Sequence, residues 1–186
     1  MQIESLFILG AVLGMDRLTA LQHAMQLLSL ALKQLDELGL GSISLCPETM
    51  GKFNQLGNSE EVIALCQLDT RLIPGIDFGH LYCRSLGKLN TFEAWKKELN
   101  LYIHALGYER MKHFHSHFSK MLYTEHGGEK CHVTFAQKDC GPDFEVLARV
   151  LLKLNLEPRI ICESAGTQSI DAKQMKDIYT KIKENL

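Results

Sequence analysis

Residues 111–132 read MKHFHSHFSKMLYTEHGGEKCH and hold His113, His115, His117, His126 and His132, five of the eight histidines in the chain, with Glu125 and Glu129 among them. In HFHSH (113–117) the histidines alternate, and on a strand that alternation sends all three imidazoles to one face. Neutral imidazole is the commonest metal ligand, so the row raises the question of which carboxylates elsewhere in the chain reach it. The competing reading is a polar strand end with solvated histidines, and this segment alone does not separate the two.

Outward from that stretch, apolar runs alternate with amphipathic helices. Residues 5–12 read as a strand. Residues 16–38 read as a helix, with Leu18, Leu21, Met25, Leu28, Leu32 and Leu35 three and four apart and Gly39 as its stop. A buried strand at 42–46 leads into Pro47-Glu48-Thr49, and a short helix opens at Ser59 and runs to Leu68. Residues 72–76 form an apolar run ending at Asp77, followed by turn-like Phe78-Gly79-His80. Thr91 caps a helix over 92–106, and Gly107 stops it. A strand is expected at 111–115, a loop at Gly127-Gly128 and a short strand at 130–135. A helix capped by Asp143 through Leu154, a strand at 159–162 and a closing helix at 171–182 complete the chain. Strands alternating with helices of this length predict βαβ units and a parallel sheet.

The composition agrees with that class. With 186 residues, 46% hydrophobic and 23% charged, the chain can bury a sizeable core as a single domain spanning 1–186. A formal net charge of -2 and a pI near 6.4 leave no basic footprint for nucleic-acid binding by bulk electrostatics. Six cysteines without a C-x-x-C pair predict no disulfide framework, hence a reducing, cytoplasmic setting. The apolar run at the start is too short to span a bilayer, and no membrane association is expected.

One regularity ties these elements to chemistry. The strands end in potential metal ligands: Glu48, Asp77, His115 and Glu163. In a barrel of parallel strands such ends converge on the face where active sites are built. Any one of them alone is better explained by a helix cap or a solvated carboxylate. Gathered without a cation, Glu48, Asp77 and Glu163 would repel and raise one another's pKa, and a divalent metal removes that conflict.

LCPETMGK (45–52), PGIDFGHLYCR (74–84), MKHFHSHFSK (111–120), GGEKCHVTF (127–135) and IICESAGTQ (160–168) resemble, in order, the strand-end motifs of the endonuclease IV family. These are deoxyribonuclease IV-like AP endonucleases among the xylose-isomerase-like TIM barrels. The resemblance implies cleavage of DNA 5′ to abasic sites, in base excision repair, by a cluster of three zinc ions. By position, Glu48 resembles the carboxylate bridging two zincs, and Asp77, His115 and Glu163 resemble its partners around one of them. His80 resembles a ligand of another metal, to which the family adds an acidic residue and a histidine two further on. Here Glu129 fits the acid, Cys131 holds the strict spacing and His132 lies one later; either could ligate, with His132 preferred. His113 and His117 are expected to support the ligand position, His117 foremost.

The departures from the family are equally definite. The resemblance implies a partial (β/α)8 TIM barrel lacking roughly the first two βα units, so two zinc ions are as compatible with it as three. A histidine ligand of the first zinc falls in the missing part, and Ile8-Leu9-Gly10 stands where the family carries a second one in His-Pro-Gly. Such a barrel exposes sheet edges, so association with a chain supplying the missing strands is expected. The implied chemistry is metal-assisted phosphodiester hydrolysis with Glu163 and Glu48 as the catalytic carboxylates, Glu163 orienting the attacking water. Lys120, Arg84 and Lys130 are the candidate phosphate contacts on DNA. Two rival readings stand beside it: a sugar isomerase or epimerase of the same superfamily with one metal, often manganese, and a non-catalytic barrel fragment.

Overall fold

The computed structural model describes residues 4–185. Strand β1 (Glu4–Phe7) is followed by α1 (Arg17–Glu37), whose first turn is capped by the Asp16 carboxylate accepting from the Thr19 N–H. After β2 (Ser44–Pro47), Asn58 and Glu61 close a capping box on α2 (Ser59–Cys66). Strand β3 (Gly75–Asp77) runs straight into α3 (Phe78–Arg84), because Asp77 caps it by accepting from the His80 N–H. Then come α4 (Phe92–Leu106), α5 (Tyr108–Met111) and β4 (His115–Phe118), with the hairpin β5 (Lys120–Thr124) and β6 (Gly128–Val133) following. The chain continues through α6 (Phe144–Lys153), β7 (Arg159–Cys162) and α7 (Gln168–Glu184).

Strands β1 and β2 pair in parallel, as do β3 with β4 and β4 with β7. Parallel bridges Leu45–Leu72 and Glu48–Gly75 join β2 to β3. The result is a row of five parallel strands in chain order, a mixed α/β architecture with no closed barrel among the described residues. Aligned pairing puts Ile76, Ser116 and Ile160 on one face and Asp77, His117 and Ile161 on the other. The first face packs under the helices. Phe78 meets Trp95 edge-on at 5.4 Å, and Phe118 meets Phe144 at 5.0 Å, in a core that also takes in Leu28, Leu99 and Met175. Each outer strand borders an open apolar cleft: about 300 Å³ beside β1, lined by Phe7, Leu9, Leu27 and Leu45, and about 340 Å³ beside β7, lined by Phe144, Ile160, Met175 and Tyr179.

Several local expectations change, among them the strand expected at 5–12, which ends at Phe7. Gly107, at φ 89°, ends α4 and leads into α5, which buries Met111, so the strand expected at 111–115 begins only at His115. The turn expected at 78–80 is the first turn of α3. The β5 strand was not anticipated, because its apolar content is short and gives way at once to the polar tip of the hairpin. No helix among the described residues is long and apolar enough to cross a membrane.

Candidate metal centre

Glu48, Asp77, His117 and Glu163 bring ligand atoms within 4.8 Å of one another at the C-terminal ends of β2, β3, β4 and β7. Each arrives by backbone bonding. The Glu48 N–H donates to the Phe7 carbonyl and the Glu163 N–H to that of Phe118, both at 3.1 Å. The Asp77 N–H donates to Thr49 Oγ1 at 2.9 Å. Nδ1 of His117 stands 3.0 Å from Glu48 Oε1, 3.1 Å from Glu163 Oε1 and 3.9 Å from Asp77 Oδ2.

This corrects the place given to His115. Asp77 pairs in register with His117, whereas His115 pairs with Gly75. Two residues along a strand are about 6.6 Å, so His115 sits one level below the carboxylates although it points to the same face. Its ring instead bonds Glu4 and His117, at 3.2 Å each.

The group fits a cation. Two of its buried atoms, Asp77 Oδ2 and His117 Nδ1, have no hydrogen-bond partner. Nδ1 does lie close to the Glu48 and Glu163 carboxylates, which favour its protonated form when no cation is bound. Buried polar atoms are rarely left unpaired, and one oxygen- and nitrogen-loving ion satisfies both. Electrostatics say the same. Burial, aided by Glu48 and Glu163 and opposed by His80, pushes the Asp77 carboxyl above its ordinary range. Burial disfavours the His117 imidazolium, but Glu163 and Glu48 outweigh it and lift the pKa to about 10. His117 in turn holds Glu163 below the usual carboxylate range against the effect of burial. Without a cation, a proton on His117 neutralises part of the cluster.

His80, Glu129 and His132 form a second group. His80 Nδ1 lies 2.8 Å from the Thr49 carbonyl, which can only accept, so Nδ1 carries the proton and Nε2 faces Glu129 Oε2 at 3.6 Å. His132 Nδ1 bonds Ser119 Oγ at 2.8 Å. Two histidines and a carboxylate are a ligand set used by catalytic zinc. The hairpin explains the irregular spacing. Leu122 pairs with Cys131 and Tyr123 with Glu129, which leaves Lys130 opposite nothing, a β-bulge. The extra residue returns Glu129 and His132 to one face although they are three apart, and Cys131 is exposed. Close packing holds the hairpin there. Gly128 is in the left-handed region at φ 74°, and a Cβ on it would stand 2.3 Å from the Gly51 carbonyl. The two groups abut, with His80 Nδ1 3.6 Å from Asp77 Oδ2 and His132 Nδ1 4.0 Å from Glu163 Oε2.

The basic residues divide. Arg84 donates to the carbonyls of Met50, Lys52 and Gln55, and Lys120 to those of Phe135 and Gln137, so both are engaged in holding loops. Lys130 is exposed at the bulge. Among the described residues no further group of donors completes a first-zinc site beside Glu48. Thr49, Ser119 and Glu4 were missed from the sequence: hydroxyls and carbonyls that orient ligands leave no periodic signal, and Glu4 sits at the opposite end of its strand.

No protein-family model matches the chain. An uncharacterized protein of Methanocaldococcus jannaschii is 33% identical over 133 residues, covering 72% of this chain and 47% of that protein. The chain thus spans about half the length of the curated relative it matches. Among solved structures, a D-psicose 3-epimerase crystallised in the presence of D-fructose is similar at a TM-score of 0.47 and 14% identity, over 85% of this chain and 48% of that chain.

Proposed function

We propose that the two abutting groups hold two divalent cations, zinc foremost, and that the site hydrolyses phosphodiesters, with abasic-site DNA as the substrate the motifs imply. The observation that carries this reading is the second group, His80, Glu129 and His132, set 3.6 Å and 4.0 Å from members of the first. A chemistry needing one ion would leave that group idle. Bound cations supply electrostatic stabilisation of the charge that develops in an in-line displacement at phosphorus, and they acidify water. The chain's own residues do the rest. Glu48, Asp77 and His117 are buried and serve as fixed ligands, whereas the Glu163 side chain keeps 34% of its surface exposed. Glu163 Oε1 faces His117, which leaves Oε2 to accept a hydrogen bond from the attacking water and then its proton. Lys130 at the hairpin bulge is placed to meet a phosphate from solvent. The frame is read as part of an eight-stranded barrel, and a chain supplying further strands would pair at the outer edges of β1 and β7.

A second reading rests on the first group alone. Glu48, Asp77, His117 and Glu163 already offer four donors, enough for a one-metal isomerase or epimerase with manganese as an alternative ion. Elemental analysis together with nicking of a duplex carrying one abasic site separates the two. Two ions per chain and chelator-sensitive nicking are expected; one ion, no nicking and interconversion of ketoses would favour the second reading. Glu163→Gln is expected to lower nicking more than about 100-fold with unchanged far-ultraviolet dichroism. Full activity in that variant would remove Glu163 from the mechanism.

A further inference from the structure

We propose that Glu4 and His115 are positioning residues that aim His117 at the cation through a hydrogen-bonded file crossing from β1 to β4. The inference rests on the reading of His117 as a ligand. His115 Nδ1 lies 3.2 Å from Glu4 Oε2, and His115 Nε2 lies 3.2 Å from His117 Nε2. The side chains are almost wholly buried, 10% exposed for Glu4, 8% for His115 and 7% for His117. The same Glu4 oxygen receives Arg159 Nη1 at 3.2 Å, so the file is anchored at its far end to β7.

Proton placement gives the file one direction. A carboxylate only accepts, so Nδ1 of His115 donates to Glu4. Neutral His115 then presents Nε2 as an acceptor, and His117 must donate its Nε2–H to it. That leaves the lone pair of neutral His117 on Nδ1, the atom that faces Glu48, Asp77 and Glu163. The opposite tautomer of His117 would point an N–H into the carboxylate group and a lone pair at His115, and it could not ligate. A ligating histidine commonly gives its other N–H to an acceptor that fixes tautomer and ring orientation. Here that acceptor is a second histidine, itself fixed by a carboxylate on a strand three places away in the row. The file also explains why His113-Phe-His-Ser-His alternates: two of its imidazoles are stacked levels of one device. The third, His113, is largely exposed and lies beside Glu157 at the surface.

The test uses the full chain loaded with cobalt(II) and read by its visible absorption, its affinity in chelator competition and its hyperfine-shifted exchangeable proton resonances. In the unaltered protein the His117 Nε2 proton, sheltered by His115, is expected as a slowly exchanging resonance that vanishes in D2O. His115→Ala is expected to weaken cobalt 10- to 100-fold and to lose that resonance by fast exchange, roughly the effect of removing a partner of this kind. Glu4→Ala should follow in the same direction, and Glu4→Gln, which keeps an accepting oxygen, should recover most of the affinity; a purely structural role would not discriminate between them. Unchanged affinity and an unchanged resonance in His115→Ala, beside a metal-binding parent, would overturn the file. Bound cobalt with the file intact but no phosphodiester cleavage would overturn the hydrolase reading alone.

Discussion

The two candidate ligand groups are built on different scaffolds. Glu48, Asp77, His117 and Glu163 come from four parallel strands, each a separate stretch of chain ending at a common level. His80 and its partners Glu129 and His132 come from one short helix and one antiparallel hairpin. The first group is held by the ladder itself: backbone bonds between neighbouring strands set Glu48 and Glu163, and aligned pairing sets Asp77 beside His117. The second is held by a cap, a bulge and a close backbone approach, any of which a local change can undo. Ligands set by a sheet are precise because displacing one means breaking the core, whereas ligands set on a hairpin can be tuned or lost separately. Function that needs both ions therefore depends on the less secure half.

Asp77 belongs to both halves. Its Oδ2 faces the first group, and its Oδ1 accepts from the His80 N–H at 2.8 Å and so starts the helix that carries a ligand of the second. Asp77→Ala is expected to take metal content from two ions to none and to lower hydrolysis more than about 100-fold, as measured by elemental analysis and nicking. Retention of one ion would show the halves to be independent.

A smaller effect separates the hairpin from the sheet. His132→Asn is expected to remove one ion and leave the other, with Cys131→Ser without consequence, since Cys131 points to solvent. Deletion of Lys130 should keep both ions, because it removes the bulge and brings residues 129 and 132 to the two-residue spacing that a regular strand places on one face. Loss of metal on that deletion would show that the bulge does more than correct the register.

The smallest effect is a pH dependence centred on the sheet-held His117. In the metal-free protein the His117 pKa is raised from 6.5 to about 10, so its stabilisation is complete below about 6.5 and is lost as pH rises through about 10. Glu163, held below 4.5, contributes stability above that value which is lost as pH falls through its lowered pKa. The melting temperature of the metal-free protein should fall as pH rises through neutrality toward pH 10, and His117→Gln should shrink that decline. A cation must displace the His117 proton, so affinity should rise by about tenfold per pH unit across neutral pH. A flat profile would mean that His117 is already deprotonated.

The parallel α/β class, the helix at 92–106 with its Thr91 cap and the strand at 159–162 were legible because each is a local pattern. A hydroxyl before a periodic run and a β-branched apolar run state their conformation within a few residues. Glu48, Asp77 and Glu163 were legible for the same reason: a strand ending at a carboxylate can be read without knowing its neighbours. His117 was not, since choosing between it and His115 needs the register of β3 against β4, a contact between residues some forty apart. Likewise the bulge that turns His132 toward Glu129 and leaves Cys131 exposed exists only where two strands are paired. Glu4 is the extreme case, because nothing near it in sequence points to a histidine on the fourth strand. The sequence by itself determined which donors this protein carries and that they end strands. Only the tertiary structure decided which of them meet, because a ligand site is a set of distances between segments, and those are set by strand pairing and packing.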